Sequence, residues 1–109
     1  MTAQEFKDRL VELSEVPVYH ILAAPEDECP VLCWQEIGGT NQFGDDVPVA
    51  FVTMCQIDYF TTEEYDDMPG TIQLWLSDMD VRYQFDGQTY DNDRAEWRYT
   101  WTVQFLGGV

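Results

Sequence analysis

Basic side chains are scarce in this chain. Five Lys and Arg stand against 21 Asp and Glu, a formal net charge of -16 over 109 residues. That scarcity excludes whole classes of function. A surface so poor in cations cannot neutralise a phosphate backbone, which removes ordinary DNA and RNA binding. Anionic lipid surfaces repel it for the same reason. No hydrophobic run approaches the ~20 residues of a membrane span. Cysteine is limited to Cys29, Cys33 and Cys55. Their odd number and the lack of a signal-peptide pattern point to a reducing compartment. The Cys29 and Cys33 spacing is neither a redox CxxC nor a zinc-finger pair, so buried free thiols are expected.

Catalytic groups are equally sparse. The one histidine, His20, sits beside Tyr19 and Ile21 in an apolar run, with no serine or cysteine motif to make it a general base. A structural or surface role is expected for it. Carboxylates are so numerous that close pairs arise by chance, and a small fold offers little depth for a glycosidase-like cleft. Asp91-Asn92-Asp93 begins like a calcium loop, but the glycine at the sixth position is missing and Glu96 comes too early. Asp78 and Asp80, and the doublets Asp45-Asp46 and Asp66-Asp67, read as solvated loop acids. No enzyme, metal or cofactor is expected.

Apolar residues make up 45% of the chain and aromatics 15%, enough to fold despite the charge. The length suits one domain, spanning residues 1–109, with one two-layer core. Residues 2–14 form an amphipathic pattern, with Phe6, Leu10 and Leu13 at i, i+4 and i+7, and Thr2 and Glu5 at capping-box spacing. Pro17 ends it, and residues 16–20 look extended. Val31 to Ile37 reads as a strand, residues 38–46 as a long glycine-rich acidic loop, and Val47 to Phe60 as a longer central strand covered on two sides at one end. One of its faces carries Cys55, Ile57 and Tyr59, and the other Gln56, Asp58 and Phe60.

Residues 61–67 begin a helical region whose stable part starts near Pro69, with Ile72, Trp75, Leu76 and Met79 as its stripe. Val81 to Phe85 is a short strand with Asp86-Gly87 as its turn signal, and Thr89 and Tyr90 continue the sheet. In the last strand Trp97, Tyr99, Trp101, Val103 and Phe105 alternate with polar residues, a period of two that packs one side on a core or subunit interface. The expected class is α+β: a twisted, mainly antiparallel sheet of about four or five strands with two helices, in the order α-β-β-α-β-β.

The acidity admits three explanations: an assembly protein, an acidic DNA mimic that occupies a nucleic-acid-binding host protein, or a high-salt habitat. Scattered acids in loops fit a mimic poorly, since mimicry favours long runs on exposed helix faces. The order of elements, with Val16-Pro17-Val18-Tyr19-His20, Val47-Pro48-Val49-Ala50-Phe51, Gln56 to Thr61, Val81-Arg82-Tyr83 and the strand from Trp97 to Phe105, resembles the small tail-completion and tail-terminator proteins of long-tailed bacteriophages and prophages. The resemblance implies a structural, non-enzymatic virion protein. It would form a homo-oligomeric, hexameric ring between the tail-tube protein and the head connector, reached from the host cytoplasm during assembly. An acidic lumen would let DNA pass without holding it. Assembly contacts are then expected at Gly38, Gly39, Phe43, Asp45 and Asp46 of the loop and at Glu63, Glu64, Asp66 and Asp67 before the second helix.

Overall fold

A computed structural model describes residues 2–14, 16–20, 30–44, 47–79 and 81–106, with the backbone alone for 38–44, 47–51 and 106. The elements run α1 (Ala3–Leu13), β1 (Val18–His20), β2 (Val31–Gly44), β3 (Val47–Thr61), α2 (Met68–Asp78), β4 (Arg82–Asp91) and β5 (Glu96–Leu106). The strands form one five-stranded sheet in the order β1-β2-β3-β5-β4. The fold is α+β, as expected. One element is added to the expected order: β1 pairs in parallel with β2, so the sheet is mixed, while the remaining pairings are antiparallel.

Local chemistry explains where α1 begins. The Thr2 hydroxyl accepts the Glu5 N–H at 3.1 Å and the Glu5 carboxylate accepts the Thr2 N–H at 3.3 Å, closing the capping box. Helix α2 begins at Met68 with Pro69 in its first turn, where a missing donor costs nothing. Residues 61–67 are not helical. Instead the Asp66 carboxylate accepts the Met68 N–H at 2.8 Å, supplying one of the partners a helix start lacks.

Both helices pack on the same face of the sheet. Phe6 and Leu10 of α1 and Ile72 and Leu76 of α2 bury against Leu32, Trp34, Cys55, Ile57, Trp101, Val103 and Phe105. Phe6 lies between Phe105, stacked at 5.3 Å, and Trp34, edge-on at 6.2 Å. Strand β3 is central. Among the described residues both helices lie over its Cys55, Ile57 and Tyr59 side, and at the end where cover on two sides was expected the adjacent Val52 and Thr53, on opposite faces, are both buried. The opposite face combines a small apolar cluster, Val31 and Cys33 with Tyr19 and Phe60, with polar contacts. Asp58, almost fully buried there, accepts from the Thr100 hydroxyl at 2.7 Å, the Gln56 amide at 2.9 Å and the Arg98 Nε at 3.0 Å.

Two turn expectations fail for the same reason. Residues 38–44 are not a loop, because Gly38 to Gly44 pair with β3 from Met54 back to Val47, while Asp45 and Asp46 lie outside the described residues. A non-local ladder gives these glycines the hydrogen bonds that their composition does not advertise. Asp86-Gly87 is not a turn either. β4 continues through it with a register shift between Phe85 and Gly87, and Gly87 takes φ +146, a bulge conformation that glycine adopts freely. The true reversal follows Asp91, whose carboxylate accepts the Asp93 and Arg94 N–H groups. That turn occupies the acids that resembled a calcium loop.

Cys33 and Cys55 are buried, and no disulfide joins them. Burial, and then the charge of Glu36, pushes the Cys55 thiol up to about 12, which makes it an inert core residue. Cys29 lies outside the described residues. His20 is half-exposed, stacks on Trp34 at 4.2 Å and meets the Glu36 carboxylate at 3.0 Å.

Candidate docking surfaces

The residues expected to mediate assembly fall into two places at opposite ends of β3. At one end, β5 leaves β3 at Val52, whereas β2 stays paired down to Gly44 and Val47. Residues 41–44 and 47–51 therefore form a two-stranded arm with no third strand among the described residues. At ~3.3 Å per residue it projects roughly 17 Å beyond the end of β5. Gly38 and Gly39 lie at its root and Phe43 pairs with Pro48 within it. Asp45 and Asp46 lie outside the described residues. Pro48 has no N–H to offer a further strand, and the ladder is irregular between Gln42 and Phe43.

At the other end, the chain leaving β3 folds over β5 and β4. A groove of about 340 Å³ opens there, lined by Glu64, Tyr65, Asp66, Asp67, Gln88, Trp97 and Tyr99. Three of the four expected acids line it, and Glu63 is adjacent. They do different work. Asp66 is structural: besides the Met68 N–H it accepts the Tyr59 hydroxyl at 2.7 Å. Burial alone would raise its pKa, but the Met68 N–H and the Tyr59 and Thr61 hydroxyls hold it below the ordinary 3.8. Glu63, Glu64 and Asp67 are exposed and make no side-chain hydrogen bond of this kind. The floor is aromatic. Trp97 meets Tyr90 edge-on at 4.8 Å, and Tyr99 packs beside Tyr59, Phe85 and Trp101.

The groove is electronegative. Burial and then the Asp66 charge raise the Tyr99 phenol, and burial, donation to Asp66 and the nearby Glu63 charge raise that of Tyr59. The Asp66 shift also has a readable consequence. A folded pKa below the unfolded one stabilises the protein above the unfolded value, and this contribution is lost as pH falls through the folded value. Tyr59→Phe removes one donor, so the Asp66 midpoint followed by carboxyl NMR is expected to move up. An unchanged midpoint would show that the tyrosine does not hold this carboxylate.

A second hollow, about 450 Å³, lies on the face opposite the described helices, lined by Cys33, Asp58, Phe60, Asp91, Arg94, Glu96 and Arg98 among others. Its charges are spent internally. Arg98 pairs with Asp58 at 3.0 Å and lies 5.7 Å from the Phe60 ring centre, and Arg94 pairs with Glu96 at 3.3 Å. Among the described residues no group of three or more His, Cys, Asp or Glu side chains is placed to hold a metal ion.

No family model matches the chain. No curated protein matches it either. The groove aromatics were visible in the alternating strand, where a core or interface role was expected. What the sequence did not reveal was their meeting with the acids of residues 64–67, because a non-local turn across the sheet creates it.

Proposed function

We propose that this chain is a structural assembly subunit, a tail-terminator or tail-completion protein that forms a ring at the head-proximal end of a phage tail tube and meets the head connector. The β2–β3 arm carries the reading. A two-stranded ribbon is marginal alone in water, so an arm with no third strand gains most of its stability by lying on another surface. A ring requires such a head-to-tail contact, in which a projecting element of one subunit meets a different face of the next. The net charge of -16 suits a subunit beside passing DNA, since like charge denies the nucleic acid a binding site.

The reading is tested by shortening the arm. Replacing residues 41–50 with a tight turn leaves the described core and its helices untouched. The shortened protein is expected to keep its circular dichroism spectrum and to lose both self-association and attachment to tail tubes. Retained assembly would remove the arm from this role.

A further inference from the structure

The groove between residues 64–67 and the β4–β5 edge has a chemistry that the assembly reading does not use. β4 is the long outer strand of the sheet and hydrogen-bonds to β5 alone among the described strands. On its helix-side face it displays Tyr83, Phe85 and Tyr90, which are 37%, 44% and 45% exposed, and Tyr65 across the groove is 89% exposed. Large aromatics left this open mark a contact surface. We propose that the groove and the adjoining edge of β4 bind a basic, extended segment of a partner protein, a lysine or arginine of that segment seating over Trp97 between Glu64 and Asp67.

Charge complementarity selects this occupant. The groove lining contains three carboxylates and no Lys or Arg. A purely apolar segment would desolvate Glu64 and Asp67 without pairing them, which is costly. A second copy of this chain brings its own charge of -16 against the same rim, and nucleic acid is repelled more strongly. A cationic side chain gains on both counts: the carboxylates neutralise it and the ring faces attract it. Asp66 is already committed to Tyr59 and Met68, so it fixes the rim while Glu64 and Asp67 make the contact.

Strand geometry supplies the path. Gln88 lies in β4 and also lines the groove. A segment added beside β4 would run ~4.8 Å from it, with every second side chain on the groove side. The bulge between Phe85 and Gly87 splits the ladder and leaves residues 88–91 as the regular stretch on the Gln88 side, beside the groove. The added strand is therefore short, and the cation and the aromatic contacts carry much of the affinity.

The test titrates the isotopically labelled full-length protein with a short peptide alternating lysine and threonine, and with its counterpart carrying norleucine for lysine. The lysine peptide is expected to shift the Trp97 indole N–H and the Tyr65, Gln88 and Tyr99 amides. The norleucine peptide should bind about tenfold or more weakly, as should the Glu64→Gln, Asp67→Asn double variant. The remote pair Asp8→Asn and Glu12→Gln on α1 should change nothing. Shifts spread over the acidic surface without Trp97, equal losses in the remote variant, or no binding would each overturn the proposal. Translational diffusion of the protein without peptide reports self-association separately. A protein that neither self-associates nor attaches to tail tubes, yet still binds at Trp97, would count against the ring and leave the groove standing.

Discussion

Replacing Trp101 with alanine is expected to cost about 3–5 kcal/mol, a large part of the ~5–15 kcal/mol that stabilises a small domain. Trp101 is fully buried and pairs with Ile57 of β3 on one side and Phe85 of β4 on the other. Its ring lies 5.4 Å from that of Phe85, and its indole N–H reaches the Gln73 side chain of α2 at 3.4 Å. The indole thus joins three strands and a helix, and its removal leaves a large cavity among them. Urea unfolding should show a far lower midpoint, or a protein unfolded before denaturant is added. A loss below about 1 kcal/mol would mean that the core closes around the cavity, contrary to this packing.

Removing the Asp58 carboxylate is the second large effect. Asp58→Ala leaves the Thr100 hydroxyl, the Gln56 amide and the Arg98 guanidinium without their common acceptor. Hydrogen bonds to a charged group contribute about 1.5–3 kcal/mol each when removal leaves a partner buried. Arg98 and Gln56 retain access to water, so a total near 2 kcal/mol is expected rather than the sum. Asp58→Asn, which keeps an acceptor oxygen, should recover about half. If alanine proves as stable as aspartate, the face opposite the described helices does not depend on this cluster.

These two residues show how legibility divides along the chain. Trp101 and Asp58 sit on opposite faces of adjacent strands, and the period of two separated those faces from the sequence alone. The start of α1 was equally readable, because its capping box joins residues three apart. What could not be read were features made by distant pairing. Gly38 to Gly44 looked like a loop because glycine is a poor strand former by itself, and only the facing residues 47–54 make it a strand. Asp86-Gly87 has the composition of a turn, yet the continuous ladder to β5 turns it into a bulge. The acids at 63–67 were recognised as a cluster. Their aromatic counterparts, about thirty residues later, required the fold.

The same division applies to function. Charge alone argued against polyanionic partners, and the excess of aromatics pointed to a contact surface. The structure separates that surface into a projecting arm and an acidic, aromatic-floored groove at opposite ends of β3. One suits repeated contact between copies and the other a basic partner.

Sedimentation velocity from micromolar to near-millimolar protein, alone and with phage tail tubes, tests the proposed ring most directly. The account expects a closed oligomer of fixed size, formed free in solution or on the tube end, and its loss when the arm is shortened. A protein that stays monomeric throughout and passes by the tubes would contradict it.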